Sequence, residues 1–248
     1  MAAETNRPQG VPPGAEGPVS ISIFFPCYNE QDNVARVTEQ ALEVAGSLGV
    51  DYEIIIVDDG SSDATGRIAD ELAATHGAVR VIHHERNLGY GAALQSGFKA
   101  ATRELVFYTD GDGQFDIGEM PELLPFMREY DIVSGYRLNR RDGLVRVLGG
   151  WVWTRVNCLL FSLNLHDMDC AFKLYKRAIF DTIEMESTGA LIDTEILARA
   201  AKKGYRITQK GVHHYPRTAG RQTGASAKVV LRALRELLRL RRRILRDE

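Results

Sequence analysis

Cysteine is scarce in this chain of 248 residues: Cys27, Cys158 and Cys170 form an odd, widely spaced set without a C-x-x-C pair. That set suits reduced thiols in a cytosol better than disulfides or zinc. Long apolar runs are missing too. The longest, "LVRVLGGWVWTRVNCLLFSLNL" from Leu144 to Leu165, is broken by Arg146, Arg155 and Asn157, so no charge-free stretch of about 18 residues is available to span a bilayer. The first 18 residues carry four prolines and three glycines and lack the apolar core of a secretory signal. They read as a disordered leader over residues 1–18. No excess of one charge sign excludes or demands a polyanionic partner, since the formal net charge is -2. Acids crowd the first half, however, and the tail from Arg232 to Arg246 is heavily basic, so the two ends are expected to meet different partners.

What is present is an ordinary globular composition, 44% hydrophobic and 26% charged, enough for one domain with a real core. Short apolar runs alternate with helical periodicity. "VSISIFFP" from Val19 and "YEIIIVDD" from Tyr52 are too uniformly apolar for half-wet strands. "VRVIHH" from Val79 and "ELVFYTD" from Glu104 read as two more strands. Between them come helices expected to open near Asn29, at Ser61–Asp63 and at Gly89, the first capped by Asn29 with Glu30 and Asp32 in its first turn. The alternation predicts an α/β fold with a mainly parallel sheet flanked by helices. Such sheets bind ligands beyond the carboxyl ends of their strands. Residues 19–225 are assigned to this domain and 226–248 to a basic C-terminal helix.

Four strand-end loops are then expected to converge. Asp58 follows "IIIV" and its carboxylate can accept from the N–H edge of a nucleobase, while Asp63 reads as a helix cap. Arg86 precedes "GYGAAL", whose Gly89 and Gly91 serve either tight helix packing or a backbone anion site; no G-K-[ST] follows, so this is not a P-loop. "TDGDGQ" is either a solvated turn or a cation site in which Asp110, Asp112 and Gln114 offer hard oxygen ligands to Mg²⁺ or Mn²⁺. Carboxylates so close repel and raise one another's pKa unless a cation is present.

"FFPCYNEQDNV", "EIIIVDDGSSDATGRIA", "RNLGYGAALQSGFKAA", "YTDGDGQFD", "DIVSGYR" and "CAFKLYKR" occur in that order. Together they resemble the inverting, nucleotide-sugar-dependent glycosyltransferases of family 2 type with the GT-A fold. The branch they resemble most is the dolichyl- or polyprenyl-phosphate sugar synthases, such as those for mannose or glucose, and the likeness covers roughly Val19 to Tyr215. The resemblance implies that Pro26, Tyr28, Glu30 and Asp58 bind the nucleotide and that Asp110, Asp112 and Gln114 hold the metal and diphosphate. It implies that Arg137 lies near the sugar phosphate or the acceptor phosphate. Arg86, Gly89 and Gly91 join the nucleotide-sugar set. Asp112, Arg137 and Asp193 are the expected catalytic residues.

The Asp193 assignment stays open among a helix start, a sugar-hydroxyl contact and a general base for a hydroxyl acceptor. Arg137, Arg140, Lys173, Arg217 and Arg221 suggest an anion cradle for the acceptor, although any one of them alone reads as a solvated charge. His213 and His214 read as structural. The tail, with Val230, Leu234, Leu237, Leu238 and Leu245 on one broad face ringed by arginines, reads as a helix for an anionic membrane surface or one docked on the protein's own core. No recognised nucleic-acid module accompanies it. The expected activity is transfer of a sugar from a UDP- or GDP-sugar to a polyprenyl phosphate, at the cytoplasmic face of a membrane. Transfer to a hydroxyl acceptor, or nucleotide-sugar binding without turnover, are the alternatives.

Overall fold

In the computed structural model, which describes residues 20–138, 144–216 and 227–246, the four expected strands are β1 (Ile21–Cys27), β2 (Tyr52–Asp58), β3 (Val79–His83) and β4 (Leu105–Thr109). Three further strands, β5 (Ile132–Leu138), β6 (Phe172–Lys176) and β7 (Ile207–His213), extend the sheet. The strand order is β3-β2-β1-β4-β6-β5-β7. All pairings are parallel except those of β6, which runs antiparallel to both β4 and β5. One edge of the sheet therefore gathers the carboxyl ends of β1, β2, β4, β5 and β7 and the entry to β6. The leader lies outside the described residues.

The uniformly apolar strands are buried on both faces, as their composition requires. Helices α1 (Val34–Ser47), α2 (Thr65–Thr75) and α3 (Tyr90–Ala100) are the crossovers between the first four strands. Helices α4 (Leu144–Phe161), α5 (Ile192–Lys202) and α6 (Ala227–Arg246) follow. Among the described residues no helix is long and apolar enough to cross a membrane. Glu53 ties β2 to its surroundings, accepting from Ser22 Oγ (2.6 Å), Thr102 N (2.7 Å) and Arg80 Nε (2.9 Å). Burial pushes its carboxyl up, but these donors outweigh burial and hold it down at about 2.

Two expectations fail locally. Asn29 does not cap α1, which starts at Val34 without an acid in its first turn. Asn29 instead adopts a left-handed backbone, φ 57°, which its short polar side chain tolerates, and its Oδ1 accepts from Ser62 N at 2.8 Å. The residue joins the β1 loop to the β2 loop. The face of α6 is also divided: Leu237, Leu240 and Ile244 are buried, with Leu240 and Ile244 packing on Ala198 and Phe161, whereas Leu238 and Leu245 are exposed. Inward docking thus accounts for one side of the helix only. The side chains of Val230 and Leu234 lie outside what is described.

Candidate functional site

The loops at the carboxyl edge are drawn together by backbone chemistry. A Cβ on Gly111 would lie 2.6 Å from Cys27 Sγ and 2.8 Å from Pro26 O, so only glycine lets the "TDGDG" loop rest against the end of β1. Asp58 and Asp59 at the end of β2 are buried and turn apart. Asp58 accepts from Ser61 N (3.0 Å) and pairs with His83 Nδ1 (2.9 Å). Asp59 accepts from Leu88 N (2.9 Å) and Gly89 N (3.0 Å) and pairs with His84 Nδ1 (2.6 Å). Glu30 donates its N–H to Thr65 Oγ1 at 2.8 Å and accepts from Asn33 Nδ2 at 2.6 Å. Pro26 lies one residue before the end of β1, Tyr28 is exposed just after it, and Arg86 is exposed on the loop after β3. Cys27, Cys158 and Cys170 are free and buried, and burial pushes the Cys27 and Cys170 thiols well up, which suits structural thiols.

At the end of β4, burial, followed by the charge of Asp112, pushes the Asp110 carboxyl up to about 7. Tyr90 Oη donates to Asp110 at 3.1 Å, and Gln114 N donates to Asp112 Oδ1 at 3.0 Å. Among the described residues no group of three or more His, Cys, Asp or Glu is arranged to hold a metal. The donor set is two mutually repelling carboxylates on one loop, and it fits a hard divalent cation that takes its remaining oxygens from phosphate and water. Gln114, the third expected ligand, stands on the same loop and also makes contacts of its own. Its side-chain Nε2 donates to Tyr215 O (2.9 Å) and its backbone carbonyl accepts from Tyr215 N (2.8 Å). It clamps the end of β7 to the loop.

Two other assignments change. The backbone N–H groups proposed as an anion site are committed: Gly89 N to Asp59, and Gly91 N to Thr188 O at 2.9 Å. A Cβ on Gly91 would lie 2.6 Å from Thr188 C and 2.7 Å from Gly189 O, so these glycines serve packing of α3 against residues 187–189. Gly91→Ala is expected to destabilise the fold by about 1–3 kcal/mol, measured by urea denaturation; an unchanged midpoint would show that the 187–189 segment yields freely.

Lys173 is not in a loop cradle either. It stands fully buried on β6, where its Nζ donates to Asp193 Oδ1 (2.6 Å), Cys170 O (2.6 Å) and Tyr108 Oη (3.1 Å). Asp193, buried in the first turn of α5, also accepts from Tyr108 Oη. Arg137, on β5, is paired through two nitrogens with Asp167, at 2.7 and 2.9 Å. Arg140, Arg217 and Arg221 lie outside the described residues.

Several groups at this edge were not singled out from sequence. Arg36 of α1 stands directly over Gly113, in the space a Cβ there would take, and puts a cation on the carboxylate loop. Tyr90 and Tyr108 carry hydrogen bonds between Asp110 and the Lys173–Asp193 pair. Asp169, just before β6, has its carboxyl pushed up to about 6 by burial and then by the charges of Asp193 and Asp167. Glu195 is fully buried and accepts from Glu186 N (3.1 Å), Ser187 N (2.7 Å) and Arg199 Nε (3.0 Å). Arg199 and Arg243 of α6 both reach Glu186 at 2.7 Å. The signal for these groups was slight: a tyrosine or a lysine inside an apolar run announces burial, and its partner is far away in sequence.

Residues 22–184 match the family model Glycosyl transferase family 2. A dodecaprenyl-phosphate galacturonate synthase from Rhizobium johnstonii is 32% identical over 179 residues, 69% of this chain and 53% of that protein. An undecaprenyl-phosphate 4-deoxy-4-formamido-L-arabinose transferase from Klebsiella pneumoniae is 32% identical over 66% of this chain and 50% of its own length. The chain thus spans about half the length of these curated relatives. Among solved structures, the Mycobacterium tuberculosis glucosyl-3-phosphoglycerate synthase in complex with Mn²⁺, UDP-glucose and phosphoglyceric acid superposes with a TM-score of 0.62. It is 20% identical and the match covers 92% of this chain and 77% of that one, a likeness of fold that agrees with the GT-A architecture. With the family model covering β1 to β6 from residue 22 on and the carboxylate loop between them, the chain belongs to glycosyl transferase family 2.

Proposed function

We propose that the chain is the catalytic part of an inverting glycosyltransferase that moves a sugar from a UDP- or GDP-sugar to a polyprenyl phosphate, working at the surface of a membrane. The relatives named above carry polyprenyl phosphates in their names, and the site supports the same acceptor. The observation that carries the reading is the state of Asp193. An enzyme glycosylating a hydroxyl needs a base that can receive the proton, with access to the acceptor. Asp193 is buried and held by Lys173 and Tyr108, so it is poorly placed for that work. A phosphate monoester needs no base: its second pKa is about 6, and it arrives ionised at neutral pH.

In this reading Pro26, Tyr28, Glu30 and Asp58 line the nucleotide position, and Arg86 and Arg36 face the diphosphate. As the anomeric bond breaks, negative charge grows on the leaving diphosphate, and fixed guanidinium groups stabilise that state more than the ground state. Asp110 and Asp112 would hold Mg²⁺ or Mn²⁺, which when bound offsets the same charge. Arg137, its charge partly balanced by Asp167, orients the entry to β6 and faces the acceptor side.

The test is a panel of UDP- and GDP-sugars offered with a short polyprenyl phosphate or the matching free alcohol, with and without Mn²⁺ or Mg²⁺, read by product mass. Product with the phosphate alone is expected. Product with the alcohol and none with the phosphate would overturn the acceptor, and nucleotide binding with no donor consumed on any acceptor would leave a binding protein.

A further inference from the structure

Helix α4 presents large apolar side chains to solvent. Leu148 is 61% exposed, Trp151 54%, Val152 46% and Leu159 84%. At 100° per residue these four fall within an arc of about 100°, while Thr154 and Asn157 on the other side are buried. A stripe so placed is not a core face turned by error, since the inward face is already filled. Arg155 lies within the stripe, its guanidinium over the Trp151 ring at 5.8 Å. From Leu144 to Leu165 the sequence has no Asp or Glu.

The stripe continues onto a second element. Arg241 of α6 donates to Leu160 O at 3.0 Å, and Leu240 and Ile244 pack on Phe161, so α6 joins α4 beside Leu159. The outward side of α6 carries Leu238 and Leu245, 53% and 54% exposed, with Arg242 between them and Arg239 and Arg246 also exposed. Across 227–246 there are seven arginines and one lysine against a single glutamate.

We propose that the outer face of α4, with the outward side of α6, docks on an anionic bilayer, seating Leu148, Trp151, Val152 and Leu159 among headgroups and upper acyl chains. The choice of a bilayer as occupant rests on the lipid-phosphate reading above, and on charge. A second copy related by a two-fold axis would bring arginine against arginine on an acid-free face, whereas an anionic surface meets leucine, tryptophan and arginine with matching chemistry. Tryptophan favours the boundary between water and hydrocarbon, arginine reaches the phosphates, and leucine enters the chains. Each cation near the surface adds attraction that salt weakens.

The test uses the full chain with Trp153→Phe, which leaves Trp151 as the sole tryptophan. It is mixed with phosphatidylcholine vesicles, with or without phosphatidylglycerol, carrying brominated acyl chains. Trp151 emission is expected to shift to the blue and to be quenched on the anionic vesicles only. Leu148→Ser with Leu159→Ser should weaken vesicle binding about tenfold or more, with transfer to a short, water-soluble polyprenyl phosphate unchanged. Unquenched Trp151 on vesicles that bind the chain would overturn the proposal, as would a concentration-dependent dimer dissolved by the leucine substitutions. Quenching in a chain inactive on every lipid phosphate would support the docking face and sink the enzymatic reading, so the two failures are distinguishable.

Discussion

Lys173→Met is expected to remove about 3–5 kcal/mol of stability, the usual effect of leaving one partner of a buried ion pair unmatched. Methionine fills the aliphatic volume of lysine, so the loss reports charge and hydrogen bonds, not a cavity. Among the described residues Asp193 would keep only the Tyr108 hydroxyl, in a position closed to water, and Cys170 O would lose its Lys173 donor. Asp193→Asn alone is expected to destabilise as well, by stranding the ammonium. The double variant Lys173→Met with Asp193→Asn should recover a good part of the loss, because no unpaired charge remains. Urea denaturation of the four proteins checks this, and a single Lys173→Met variant as stable as the parent would show that the pair is not carrying the charge of either partner.

Asp112→Asn is expected to cut transfer roughly a thousand-fold or more, several kcal/mol of lost transition-state stabilisation, with the fold intact. The asparagine side-chain oxygen can still accept from Gln114 N, so the loop keeps its turn. The thermal midpoint without divalent cation should hold or rise, since the charge of Asp112 is the second contribution, after burial, to the pressure on Asp110. Loss of activity with a falling midpoint would point to a structural role for Asp112. Full activity at saturating Mn²⁺ would remove Asp112 from the metal site.

Much of the first half was legible because its elements are locally written. Ile54, Ile55, Ile56 and Val57 can only be a doubly buried strand, and "TDGDG" at the end of another such run is a loop with acids and nothing else. The later strands were harder. Phe172, Leu174 and Lys173 share a short run in which the lysine looks like a wet-face residue, and its buried station becomes plain only when Asp193, 20 residues away, is folded over it. The glycines of "GYGAAL" could serve an anion or a close contact, and the outcome turned on residues 187–189, whose position no local pattern announces. Asn29 was misassigned for the same reason: its side chain works on Ser62, across a loop gap, instead of on its own helix.

The Glu195–Arg199–Glu186–Arg243 chain links parts of the molecule far apart in sequence, and linked segments of this kind are expected to open together. Glu195 holds the amides at 186 and 187, Thr188 holds Gly91, and Tyr90 beside it holds Asp110. Arg243 fastens α6 to the same knot. Fraying of that helix would therefore loosen the start of α3 before it disturbed the sheet, and the lifetime of the assembled carboxylate pair is set in part by how firmly a helix at the other end of the sequence stays attached.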